Sequence, residues 1–248
     1  MRVLLGCLVL FALMGCARES GRLRIDAAAS LREVVTELAE LHAVRTGRAA
    51  PLVNLAGSGE LARQIEKARK TDVFLSAGVR EMDRLDALGI VVRETRRELC
   101  SNALVVVARD AHPDFVIDNL ARAQHVSIAH PEVVPAGRHA AAWLRERGLA
   151  DEVLAHATRS PSVRAALAAV QSGACEYGFV YASDLHVAPG LHVVHQVDGS
   201  ELPPIVYPGA VLEGARKPDE ARAFLELCVS PEGRAIFARH GFLPAGGA

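Results

Sequence analysis

Aromatic residues make up only 4% of this 248-residue chain, and no block of lysine or arginine accompanies them. Nucleic-acid binding draws on clustered cations that neutralise phosphates and on rings that stack with bases, so no nucleic-acid partner is expected. Cysteine is scarce and poorly spaced for chemistry. Of the five, Cys7 and Cys16 lie in an N-terminal apolar segment, leaving Cys100, Cys175 and Cys228, an odd set that cannot all pair. No C-x-x-C spacing exists to make a redox couple or a zinc knuckle. The ten histidines form no H-E-x-x-H arrangement. His192 and His195, three apart on an expected strand, should face opposite sides and read as surface residues, so no directly ligated metal is expected. Ala56 and Glu60 stand where the outer glycines of a G-x-S-x-G elbow around Ser58 would have to be, which removes the serine-hydrolase signature. The chain is therefore expected not to be an enzyme. No second apolar run is long enough to read as transmembrane, and the formal net charge is only −1.

What is present begins with an export signal. Arg2 is a short basic region, Val3 to Met14 is an apolar run too short to span a bilayer comfortably, and Leu13-Met14-Gly15-Cys16 fits a bacterial lipobox, with Met14 an unusual occupant. Residues 1–15 are expected to be a lipoprotein signal peptide, Cys16 the lipidation site and residues 16–22 a tether. The protein would then be periplasmic and held to the membrane through its lipid alone. An ordinary cleaved secretory signal with an incidental cysteine is the alternative.

From Leu23 onward short β-like runs alternate with helical ones, the signature of α/β construction. Strands are expected at 23–26, 51–54, 73–76, 102–108, 125–129, 177–180, 191–197 and 205–212. Helices are expected at 30–44, 60–69, 80–88, 136–147, 162–171, 218–228 and 231–240. Ser30 and Glu33 have capping-box spacing. The long apolar runs at 102–108 and 205–212 bracket a middle block, which suits a bilobed protein whose chain crosses between lobes twice. Lobe I is expected to comprise 23–103 plus 208–248, and lobe II 104–207, each a mostly parallel sheet flanked by helices, joined by two crossover strands.

One device occurs twice. Ala27-Ala28-Ala29-Ser30-Leu31 and Ala56-Gly57-Ser58-Gly59-Glu60-Leu61 each lead into a helical pattern. A serine at a helix start presents its hydroxyl beside unpaired backbone N–H groups at the positive end of the macrodipole. Ala136, between Pro135 and Gly137, and Val163, after Ser160-Pro161-Ser162, lie at two further helix starts. Gly57 and Gly59 permit a close backbone approach or a positive φ around Ser58. Taken singly, each serine could be a cap, each glycine a turn and Tyr181 a packed ring.

Several segments together resemble the molybdate-binding proteins of bacterial molybdate ABC transporters. They are Ala27 to Leu31, Gly57-Ser58-Gly59 with Leu61 to Ile65, Asp72 to Ala77, Asn102 to Val107, Pro131-Glu132-x-x-Pro135-Ala136-Gly137-Arg138, Val163-Arg164-x-Ala166-Leu167, and Gly178-Phe179-Val180-Tyr181-x-Ser183-Asp184. They occur in order from about Leu23 to Phe242. The resemblance implies a two-lobed, type II periplasmic-binding-protein fold. It also implies an oxyanion held by the hydroxyls of Ser30 and Ser58, the backbone amides of Ala136 and Val163, and the Tyr181 hydroxyl. The ligand is then molybdate or tungstate, with no cofactor, an ABC permease as partner and a monomeric receptor. A receptor for sulfate or phosphate, or an oxyanion-sensing module, is the alternative. Asp184 is expected to brace its loop, because a carboxylate facing a dianion would be repulsive. Arg164 is expected to support the loop or pair with a carboxylate.

Overall fold

Short apolar strands ending at helix starts build two sheets of the same plan. The computed structural model describes residues 21–246; the signal peptide expected at 1–15 and Cys16 lie outside them. In the first sheet, β1 (Arg24–Ala28) pairs in parallel with β2 (Leu52–Ala56) on one side and β3 (Val73–Leu75) on the other. Between them run α1 (Arg32–Thr46) and α2 (Ser58–Ala68), and α3 (Val79–Ala87) follows β3. The sheet is completed by β4 (Arg97–Asn102) and β10 (Ile205–Val211), in the order β2-β1-β3-β10-β4. The second sheet contains β5 (Leu104–Ala108), β6 (Val126–Ala129), β7 (Thr158–Ser160), β8 (Tyr177–Tyr181) and β9 (His192–Gln196), in the order β7-β6-β8-β5-β9.

The expected two-lobed α/β architecture is present, and each sheet is mixed. β10 runs antiparallel to β3 and β4, and β5 antiparallel to β8 and β9. The apolar run at 102–108 is two elements rather than one strand. Asn102 ends β4 in the first sheet and Leu104 opens β5 in the second, so the chain crosses at Ala103. The return precedes Ile205, which already pairs with Asn102; the first sheet thus resumes at 205 rather than at 208. Backbone bonds anchor the first crossing to the second lobe, with Ala182 N–H donating to Ala103 O at 2.9 Å and Val197 N–H to Leu104 O at 3.0 Å.

The remaining helices are α4 (Asn119–Arg122), α5 (Pro135–Glu146), α6 (Ala150–His156), α7 (Val163–Gln171), α8 (Pro218–Val229) and α9 (Pro231–Arg239). The last two pack on α1 and β4, returning the C-terminal segment to the first lobe. All five residues of β5 are buried, as a strand covered on both faces requires. In the second lobe Trp143 is fully buried against Phe179 with ring centroids 5.8 Å apart, and its indole N–H donates to Glu201 at 2.9 Å. His195 is half-buried and packs against Trp143 at 5.3 Å, while His192 is exposed. No helix among the described residues is long and apolar enough to cross a membrane.

His139 on α5 links this packing to pH. Burial, and secondarily the neighbouring Arg138 guanidinium, push its pKa down from 6.5 to about 4. The folded state therefore binds fewer protons than the unfolded chain between those values. The stability that neutral His139 confers is complete above pH 6.5 and is lost as pH falls towards 4. His139→Gln should reduce the loss of unfolding free energy between pH 7 and pH 4.5 by about 2–3 kcal/mol, measured by urea denaturation at both pH values.

Candidate functional site

Where β1, β2, β6 and β8 end, residues of the two lobes come together around one small cleft. The first lobe lines it with Ala28 to Ser30, Ala56 to Ser58 and Ala77, and the second with Val134 to Ala136, Ser162, Val163 and Tyr181. The structure thus brings Ser30, Ser58, Ala136, Val163 and Tyr181 to one space. No charged side chain among the described residues lines it.

Each polar group arrives by a local rule. Ser30 sits in a 3-10 turn, Ala29–Leu31, that tightens the passage from β1 into α1. The expected capping box is not formed: neither serine nor glutamate caps, because the Glu33 carboxylate is held instead by Arg164 at 2.6 Å and the Ser30 hydroxyl lies 3.3 Å from that of Tyr207. Ser58 is the first residue of α2, and its hydroxyl oxygen accepts the Ala77 N–H at 3.0 Å. Ala136 follows Pro135 in the first turn of α5, and Val163 opens α7. First-turn amides have no intrahelical acceptor, so both offer N–H groups at the positive end of a helix. The Tyr181 hydroxyl is fully buried and has no hydrogen-bond partner among the described residues. Burial holds its pKa well above the usual phenol value, so it remains a donor.

Glycine sets how closely these backbones approach. A Cβ on Gly59 would lie 2.1 Å from the Val133 carbonyl oxygen of the opposite lobe, to which the Gly59 N–H donates at 3.1 Å. A Cβ on Gly137 would lie 1.9 Å from the Ala129 carbonyl oxygen, so glycine seats the start of α5 against the end of β6. Gly57 has φ −64°, and neither it nor Gly59 has a positive φ. Of the two expected uses, close approach is the one realised.

Charge is kept around the cavity rather than in its wall. Asp184 is fully buried; its Oδ2 accepts the Tyr181 N–H at 3.0 Å and its Oδ1 lies 2.8 Å from Arg164 Nε. Burial raises its pKa to about 6 against the opposing pull of Arg164. Asp184 is a brace, as expected, and Arg164 pairs with two carboxylates, Asp184 in its own lobe and Glu33 in the other. Arg138 on α5 makes a second pair across the lobes, reaching both oxygens of Glu81 on α3 at 2.7 Å. The lobes are therefore closed on each other. Sequence reasoning missed Tyr207, Asn102 and the partners of Arg138 because their contacts span 57 or more residues and leave no local pattern.

Residues 23–243 match the family described as bacterial extracellular solute-binding proteins. The molybdate-binding protein ModA of Escherichia coli K12 is 32% identical over 246 residues, covering 96% of this chain and 95% of the relative. ModA of Haemophilus influenzae is 29% identical over 230 residues, 90% of each chain. Among solved structures, the periplasmic molybdate-binding protein of Azotobacter vinelandii superposes with a TM-score of 0.80 at 22% identity, covering 90% of this chain and 99% of that one, and so shares its fold. With a family match across nearly its whole described length and a relative of this similarity, the chain belongs to the bacterial extracellular solute-binding proteins.

Proposed function

We propose that this protein captures molybdate or tungstate between its lobes and delivers it to an ABC import permease. The observation that carries this reading is the buried Tyr181 hydroxyl, unpartnered among the described residues, in a cleft that is also lined by two serines and two helix starts. A fully ionised tetrahedral oxyanion needs only donors, and charge-assisted hydrogen bonds from fixed amides are strong in a dry site. Ser30, Ser58, Ala136, Val163 and Tyr181 would hold it, as they do by resemblance. Sulfate, being smaller, would not reach donors set for longer metal–oxygen bonds, whereas tungstate would. Both relatives named as molybdate-binding support the same ligand.

Binding and closure are one event in this scheme. Donors come from both lobes, so the full set engages only when the lobes meet, and ligand shifts the population toward the closed state. The crossings at Ala103 and before Ile205 are the hinge, and the permease reads closure. The receptor works as a monomer without a cofactor or catalytic step. Cys16 carries the lipid that holds it at the membrane.

Calorimetry against molybdate, tungstate, sulfate and phosphate tests the ligand. Molybdate and tungstate should bind, and at a hundred times the dissociation constant they should add about 2.7 kcal/mol of stability. Binding of sulfate or phosphate without molybdate would overturn the assignment. Gly59→Ala tests closure: alanine suits α2, but its methyl meets Val133 O only when the lobes close. Ligand-free stability should be retained while molybdate affinity falls at least tenfold, about 1.4 kcal/mol; an unchanged affinity would show that Gly59 does not limit closure. Labelled palmitate should enter wild-type cells' protein but not Cys16→Ala, and labelling of both would exclude that anchor.

A further inference from the structure

We propose that Tyr207, oriented by Asn102, is a specificity-determining positioning residue: it commits the Ser30 hydroxyl to donating into the cavity and so disfavours oxyanions that carry a proton. The inference rests on the oxyanion reading and adds residues that do not line the cavity. Asn102 ends β4 at the first crossing, and Tyr207 lies on β10 with its side chain fully buried. The orientation of the Asn102 amide is settled by its surroundings. Its Oδ1 accepts the Ala103 N–H at 3.0 Å and the Ser183 N–H at 3.4 Å, both backbone donors that require an acceptor. Its Nδ2 therefore faces the hydroxyls, 2.8 Å from Ser183 Oγ and 3.2 Å from Tyr207 Oη.

An amide nitrogen only donates, so Tyr207 Oη accepts from it. The phenolic hydrogen then has Ser30 Oγ, 3.3 Å away, as its partner among the described residues. The opposite direction, with Ser30 donating, would strand a phenolic hydrogen in a site with no access to water. Burial also holds the Tyr207 pKa well above the usual phenol value, so the hydrogen stays in place. Tyr207 takes one of the two lone pairs of Ser30 from behind and is the one partner of Ser30 Oγ among the described residues, so the Ser30 hydrogen is left for the cavity. Ser58 is set the same way by the Ala77 N–H. Both serines thus act as donors, through a backbone amide in one case and a side-chain relay in the other. A ligand bearing an O–H, such as hydrogen phosphate or hydrogen arsenate, meets a hydrogen where it needs an acceptor.

Removing the relay should release the Ser30 lone pair. Tyr207→Phe keeps the ring against Tyr181 and Phe242, whose centroids lie 5.9 Å and 5.3 Å away. Calorimetry of molybdate, sulfate and arsenate binding is the test, arsenate being the protonated probe. In Tyr207→Phe the arsenate-to-molybdate affinity ratio should rise at least tenfold, with no comparable gain for sulfate, which is fully ionised. In a Ser30→Ala background the same change should leave the ratio where it was, an outcome that a general loosening of the fold would not produce. Asn102→Asp, which removes the donor to Tyr207 and supplies a competing acceptor, should raise the ratio as well and serves if Tyr207→Phe does not fold. Wild type that binds molybdate, with ratios unchanged in both folded variants, would overturn the relay alone. Wild type that binds no oxyanion would overturn the site and the relay together.

Discussion

A charged guest held without a charged side chain must be surrounded by dipoles, and dipoles act only at short range. The proposed oxyanion site depends on bringing several helix starts to one point. A backbone N–H cannot extend toward a ligand as a lysine can, so the whole element has to be delivered. Alanine at 28, 29, 56, 77 and 136 keeps the wall thin. Glycine at 59 lets the backbone of one lobe hydrogen-bond to that of the other, and glycine at 137 lets a helix sit against the strand that feeds it. Bulk at any of these positions would move the donors away by a side chain's width.

The sheets provide the rigidity that such placement needs. In each lobe, three parallel strands point their C-terminal ends toward the cavity side and pass directly into the loops or helices that line it. This is the crevice where open α/β sheets bind ligands in general. The strand contributed across the hinge joins each sheet antiparallel, β10 to the first and β5 to the second. Each lobe is thus completed by chain that has just left, or is about to enter, the other. In the proposed closure, motion falls on the links at Ala103 and before Ile205, and the donors on either side keep their place on their own sheet.

Much of this was legible in the residues themselves. Alternating strand and helix patterns placed most long elements, because amphipathic periodicity and continuous apolar runs are local. Ser30, Ser58, Ala136, Val163 and Tyr181 were singled out by the resemblance, and the structure brings them together. What escaped was short or long-range. β7 and α4 are too brief and polar to show a period, and β4 was hidden because its neighbour's apolar run seemed to begin at Asn102. The Ser30-x-x-Glu33 spacing misled for a clear reason: a tertiary partner, Arg164, holds the glutamate more strongly than a local amide would. Hydrogen-bond direction at Ser30 depends on residues 102 and 207, which no window around Ser30 contains.

The two arginine pairs across the cleft raise the question of what drives closure. Arg164 with Glu33 and Arg138 with Glu81 lie largely out of water, and solvation lost on pairing offsets most of the Coulomb gain. Each pair is also internally neutral, and Asp184 adds further negative charge beside Arg164. The pairs are therefore a weak engine for closing an empty receptor. Their value lies in geometry. Arg138 Nη2 reaches both oxygens of Glu81 and Arg164 reaches Glu33, so two fixed pairs mark how the lobes meet. Opposed carbonyl and amide at Val133 and Gly59 reinforce that arrangement. On the proposed function, closure is driven by the guest, whose charge is the one feature the donors otherwise lack, and aligned by pairs that contribute little net energy.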